Sequence, residues 1–290
     1  MATEASGTIQ PDSKHESEAE QAKQGGSEQQ EEHAIQEAQS LDAESTYEVV
    51  KREGCNELER STSALFWSGL AAGLSMGFSF LAQGILRTYL PDAHWRPLVV
   101  SLGYSLGFLI VIIGSQQLFT ENTLTPIIPL LSEKSRKILR NVGRLWGAVL
   151  VSNMIGAFLF ALVLARLAVV EPDVQRTLSD LSHEALKHDI PTTFLHAIFA
   201  GWIIALMVWM LPGAESSKLA VIIVMTWLIG VAGWAHVVAG GTEVMYGAIR
   251  GEASWSRAIG GYLLPTLVGN VLGGITLVAA LNHAQATSGD

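Results

Sequence analysis

The stretches GSQQLFTENTLTPIIP at residues 114–129 and AHVVAGGTEVMYG at residues 235–247 place polar and glycine-rich chain directly beside long apolar runs. Irregular backbone at membrane depth is tolerated only where it is buried in protein or lines a water-filled cavity. An interrupted helix also leaves a half-helix amino end, with its partial positive charge, pointing into the interior. Two such ends facing each other suit a small monovalent anion without needing a full positive charge.

Around these interruptions lie six apolar stretches, at residues 64–86, 97–119, 145–170, 193–211, 218–239 and 260–281. Each is close to the 20 or so residues that a membrane crossing requires. The third contains LVSNMIG (150–156) and the sixth LVGNVLG (267–273), 117 residues apart; FWSGLAAG (66–73) in the first matches FLHAIFAG (194–201) in the fourth. Three spans repeated after three spans must have inverted topology, the common frame of transporters. The expected fold is therefore an all-α membrane protein of two inverted three-helix repeats, with the second and fifth helices broken. The 117-residue offset sets Phe119 opposite His236.

Charge is segregated along the chain. Residues 1–60 carry a net −10 and the remainder +1. Residues 1–42 are rich in Glu, Gln, Ser and Ala, a composition that cannot offset the entropy of ordering. They read as a disordered acidic tail with no secretory signal. Residues 43–62 read as an amphipathic helix on the membrane surface, 63–283 as the six-helix channel domain and 284–290 as a short tail. Lys134, Arg136, Lys137, Arg140 and Arg144 come after the second span, and Lys51, Arg52 and Arg60 precede the first. Both groups belong on the cytoplasmic side, so both termini are placed inside. Cys55 is the only cysteine, which excludes an intramolecular disulfide and a cysteine metal site. No metal, cofactor or nucleic acid is expected, and no HExxH, phosphate-binding loop or carboxylate pair in the spans suggests an enzyme.

His236 is the candidate of greatest weight. Intramembrane ionisable residues are functional by default, and this one flanks a break. It could donate a hydrogen bond or a proton to a passing weak-acid anion; the structural alternative is a neutral imidazole bonded to the other loop. His196, near a span end, reads as structural. The Thr120 hydroxyl either binds solute or caps the short helix after it. Phe119 either constricts the path or packs. Thr242 and Glu243 look like the cap and first-turn acid of a half-helix. Asn153 and Asn270 are expected to tie helices together. Lys187, before the fourth span, either draws anions into a vestibule or is a solvated loop charge.

Taken together, QLFTENTL (117–124), LVSNMIG, LMVWM (206–210), the His236 region and LPTLVGNVLGG (264–274) resemble the formate/nitrite transporter family, in its divergent bacterial inner-membrane branch. The resemblance covers the body but not the acidic head. It implies an aquaporin-like protomer in the bilayer, a homopentamer with one pore per protomer, and formate- or nitrite-like anions as substrates. It also implies a central histidine at His236, a loop threonine at Thr120, and Gln117, Leu118 and Phe119 in the constriction, with Lys187 matching the vestibule lysine loosely. Departures are Gln117 for the usual glutamate, Ala235 and Val237 flanking the histidine, and Gly201 for an asparagine. A channel or proton-linked transporter for a small anion is the leading expectation. A neutral-solute pore, or a platform whose acidic tail recruits a partner, are the alternatives.

Overall fold

The computed structural model describes residues 42–276 together with Leu281 and Ala284. The acidic-tail reading, the C-terminal tail and the end of the sixth span thus fall outside the described residues. These contain helices and no strand.

Helix α1 (Ala43–Glu59) starts at Asp42, whose carboxylate accepts from Ser45 N at 2.7 Å. Its buried residues, Tyr47, Val50, Gly54 and Leu58, recur at helical spacing, giving one apolar stripe. That stripe is seated on protein. The Tyr47 hydroxyl meets Ser132 Oγ at 2.7 Å, and Arg144 donates to the carbonyls of Leu58 and Arg60 at 2.8 Å each.

Helices α2 (Thr62–Tyr89) and α3 (Arg96–Ile113) form an antiparallel pair, and after the first interruption come α4 (Ile127–Glu133) and α5 (Arg136–Arg166). The polar segment between the third and fourth apolar stretches folds in large part into α6 (Pro172–Ala185), which buries Val174, Leu178 and Ser182. Next come α7 (Ile190–Met210), α8 (Lys218–Ala232), α9 (Ala239–Arg250) and α10 (Leu264–Gly274). A π-helical segment, Arg257–Leu263, leads into α10. Pro265 then falls in the first turn of α10, where a proline is tolerated. Five helical segments among the described residues are long and apolar enough to cross a membrane: Thr62–Tyr89, Arg96–Ile113, Arg136–Arg166, Ile190–Gly213 and Glu215–Ala232.

Both interruptions begin with the same chain reversal. At the end of α3, Ser115 takes φ 50°, Gln116 N donates to Val111 O (2.9 Å) and Ser115 N to Ile112 O (3.3 Å). At the end of α8, Gly233 takes φ 63°, Trp234 N donates to Ile229 O (3.1 Å) and Gly233 N to Gly230 O (3.2 Å). These are Schellman motifs, which satisfy the last carbonyls and turn the chain out of the helix. They match Ser115 with Gly233, an offset of 118, so Leu118 stands opposite His236 and Phe119 opposite Val237. The expected pairing of Phe119 with His236 is therefore one residue out. The sequence match was anchored on the asparagines, and the second half has one residue fewer between turn and asparagine.

Beyond the turns the two halves diverge. After the second turn, α9 starts within six residues. After the first, only a 3₁₀ turn, Glu121–Thr123, forms before α4. Pro126 lacks an N–H and disfavours the helical region for the residue before it, which sets the start of α4 after the 3₁₀ turn. The picture of two facing α-helical amino ends is thus met at α9, while a single 3₁₀ turn stands in its place in the first half.

Candidate functional site

Two buried asparagines hold the two loops in place. Asn153 Nδ2 donates to Gly69 O (2.7 Å) and Gln117 O (2.9 Å), and its Oδ1 accepts from Phe119 N (2.9 Å). Asn270 Nδ2 donates to Ala197 O (2.8 Å) and Ala235 O (3.0 Å), and its Oδ1 accepts from Val237 N (2.9 Å). An amide can give two hydrogen bonds and accept one at a single point without charge. Each therefore ties a loop to a helix pair, α2–α5 in the first half and α7–α10 in the second. Gly201 belongs to this second pairing. A Cβ there would stand 2.3 Å from Asn270 O, so the position presses on the α10 backbone and leaves no space for the polar side chain expected from the family pattern.

The clasped loops bring Thr120 and His236 together. Thr120 Oγ1 lies 2.8 Å from His236 Nε2, and both residues are fully buried. His236 Nδ1 accepts from Val238 N at 3.3 Å and Ala239 N at 3.2 Å. The ring therefore caps the amino end of α9. A nitrogen that accepts two amide protons carries none itself, so the neutral ring bears its proton on Nε2 and donates it to Thr120 Oγ1. The Thr120 proton has no other protein acceptor among the described residues. Thr120 makes no side-chain cap on the turn after it. Thr242 is no cap either. It sits four residues into its helix, and its hydroxyl donates back to Val238 O at 3.3 Å.

Apolar side chains close this centre. The Phe108 ring meets the imidazole edge to face at 5.1 Å between centroids, and Phe119 meets Trp146 at 5.7 Å. Leu118, Phe119 and Phe108 are all buried. Gln117 is nearly buried, and its Oε1 accepts from Asn122 Nδ2 at 3.0 Å. Phe108 was absent from the sequence reading, because an aromatic in mid-span has no local signature that separates a pore wall from ordinary packing.

A cavity lies on either side. One, of about 320 Å³, is lined by Glu53 and Glu57 of α1, by Gln116, Gln117 and Glu121, and by Lys218. The Oε1 atoms of Gln116 and Glu121 there are buried and find no protein partner. Burial, with Glu57 alongside, pushes the Glu53 carboxyl above its ordinary range. The other cavity, of about 180 Å³, is lined by Tyr104, Lys187, His188, His196, Glu243 and Tyr262 among others. Val208 and Lys218 line the first, while His196 and Gly230 line the second. The two cavities thus sit at opposite ends of α7 and α8, about 18 Å apart along α7 by the rise per residue. His236, Thr120, Leu118 and Phe119 line neither and lie between. Lys187 stays on the rim of the second cavity and does not join the central group. His196, read from sequence as structural, stands in that cavity's wall.

Comparison with known proteins places this geometry. A family model described as formate/nitrite transporter matches residues 44–284. The chain is 40% identical over 242 residues to Inner membrane protein YfdC of Escherichia coli, covering 82% of this chain and 77% of that protein. It is 24% identical over 245 residues to Formate channel FocA of Haemophilus influenzae, covering 75% and 85%. Among solved structures it is similar to an FNT family ion channel, at TM-score 0.68 and 20% identity over 83% of this chain and 98% of the other. It is also similar to a pentameric formate channel with formate bound, at TM-score 0.62 and 20% identity over 76% and 95%.

Proposed function

Since the chain belongs to the formate/nitrite transporter family, a family of membrane channels and transporters, we propose that it conducts a small monovalent weak-acid anion, formate or nitrite in type, through a path running from one cavity past Thr120 to the other. The observation that carries this reading is the unmatched proton of the Thr120 hydroxyl. His236 fixes the hydroxyl oxygen as an acceptor, which leaves its proton to point at whatever passes. An anion entering from either cavity sheds its water at Leu118 and Phe119 and accepts that proton as a hydrogen bond. The capped amino end of α9 lies behind the imidazole and adds a partial positive charge.

On this reading His236 is a hydrogen-bond donor through threonine, and not itself a proton carrier. Placing a second proton on Nδ1 would expel the two amide N–H groups that it now accepts. The apolar seal of Phe108, Leu118 and Phe119 favours a second form of the same reading, in which the acid crosses neutral after taking its proton in a cavity. The chain is then a multi-pass inner-membrane protein, as the name of its 40% identical relative suggests, with homopentameric assembly like that named for the formate-bound neighbour. Lys187 serves the mouth of the second cavity rather than the constriction.

Proteoliposome flux of formate and nitrite tests this. Thr120→Val removes one hydrogen bond to the permeating anion, so flux is expected to fall about tenfold, and His236→Ala is expected to fall at least as far. Wild-type flux in either variant would remove the Thr120–His236 pair from the path. Stopped-flow measurement of anion current beside acid uptake separates the charged from the neutral form.

A further inference from the structure

We infer that Glu121 is the residue that exchanges a proton with the permeating acid in the first cavity, so that the acid enters the constriction neutral and one proton travels with each anion. The inference rests on the neutral-acid form of the proposed function and names the group that acts in it.

The first cavity, of about 320 Å³, is poorly suited to a bare anion. Glu53 and Glu57 face it from α1, Glu121 from the first interruption and Lys218 from α8. The other elements packed there bring no charge: Ile112 and Val208 line the cavity from α3 and α7, Trp146 of α5 donates to Asn122 O, and Gly274 of α10 abuts Thr123. Three carboxyls thus stand against one ammonium. Glu57 is engaged by Arg60, whose guanidinium donates to its two oxygens at 3.3 and 3.2 Å. A free anion meets net repulsion from this wall, whereas an anion that gains a proton on entry does not.

Glu121 is the carboxyl beside the constriction. It follows Thr120 directly and opens the 3₁₀ turn. Its Oε1 is buried without a protein partner, and so is the Oε1 of Gln116 on the same wall. The donors next to it are committed elsewhere. Asn122 Nδ2 gives to Gln117 Oε1 (3.0 Å) and Leu118 O (3.1 Å), and the Thr123 hydroxyl gives to Thr120 O (2.7 Å). Lys218 does not reach Glu121 Oε1. Buried acceptors in folded proteins are nearly always paired, so two unmet oxygens in one cavity call for a mobile hydrogen, and the carboxyl is the one of the two that takes a proton outright. The step is a plain exchange. The O–H bond of the Glu121 carboxyl breaks as an O–H bond forms on the anion, and the neutral acid moves on past Phe119 and Thr120. The Glu121 carboxylate regains a proton from water by way of Glu53, whose carboxyl is pushed above its ordinary range by burial and by Glu57. In the second cavity the acid returns its proton to water. A neutral acid crosses the apolar seal at far lower cost than a bare charge.

Proteoliposomes of the full-length protein, with formate outside and a pH-sensitive dye within, test this. The wild type is expected to acidify the lumen in step with formate entry. Glu121→Gln keeps the shape of the side chain but exchanges no proton, so at about pH 7.5 its formate flux should fall about a hundredfold, the low end of what a positioned proton donor contributes. Acid that arrives already protonated becomes about tenfold more abundant with each unit of falling pH, so the deficit should close toward about pH 5.5. Glu121→Asp keeps a titratable carboxyl and should recover most of the flux. A deficit of the same factor at every pH marks a structural lesion and overturns the inference. So does wild-type flux in Glu121→Gln, or formate entry that leaves the lumen pH unchanged. Absence of formate and nitrite flux in the wild type removes the transport reading and this inference with it, whereas flux that survives Glu121→Gln removes the inference alone.

Discussion

Asn153 and Asn270 carry more of the site than their neutrality suggests. Each makes three hydrogen bonds in a place closed to water. Truncating one leaves two carbonyls and one amide of the backbone without partners, and each buried orphan costs about 1–3 kcal/mol. Asn270→Ala is therefore expected to lower the stability of the solubilised protein by at least about 3 kcal/mol, read as a fall in thermal midpoint by tryptophan fluorescence. Asn270→Asp keeps the acceptor for Val237 N but sets a carboxylate oxygen against the carbonyls of Ala197 and Ala235, so it should be at least as destabilised as alanine. At this scale the sequence was legible where chemistry is scarce. An asparagine repeated in two apolar spans had to find partners, and a histidine beside a glycine-rich break had to be held. It was mute on Phe108 and Glu121, which acquire meaning only from neighbours distant in the chain.

The two Schellman turns show what an element requires and what it tolerates. Gly233 occupies the left-handed region at no steric cost, whereas Ser115 occupies the same region against its Cβ, a penalty of about 1–2 kcal/mol. Substitutions at the two turns should act with opposite sign. Gly233→Ala is expected to destabilise by about 1 kcal/mol and Ser115→Gly to stabilise by a similar amount, each measured by thermal unfolding in detergent. The breaks themselves were readable, because polar chain cannot continue an apolar helix unaided. The register between halves was not. One residue lost between turn and asparagine leaves the motif match intact and shifts every loop residue by one place. The helix α6 was missed for a different reason: its buried apolar residues are few and the rest of its surface is polar, which resembles a solvated loop until the protein beneath it is known.

Across the whole molecule, the Arg87–Glu184 pair joins α2 to α6 beside the Thr88–Thr177 hydrogen bond and the packing of Leu178 on Gly84. The Arg87 guanidinium beside Glu184 holds that carboxyl below the ordinary glutamate range. A depressed carboxylate contributes stability above the value it has in the unfolded chain, and that contribution disappears as the pH falls through the folded value. The Glu184 side chain is half exposed, at 50%, so solvent reduces the effect to under about 1 kcal/mol. Arg87→Gln is expected to be less stable than wild type by that amount at pH 7, with the gap closing as the pH drops below the ordinary glutamate range. A gap that widens in acid would reverse the sign of this account. The disposition of the helices came from hydropathy and internal repetition, while the placement of charge around each mouth depended on side chains that only the folded chain brings together.

The asparagine clasps have a kinetic corollary. Because both loops are fastened to helix pairs, the path proposed above is barred between the two cavities by side chains. Exposed side chains turn about their own bonds in picoseconds to nanoseconds and closely packed ones more slowly, whereas domains rock in microseconds to milliseconds. If passage follows the proposed path, it should be governed by these side chains and by dehydration, and turnover should resemble that of a narrow filter more than that of a rocking carrier.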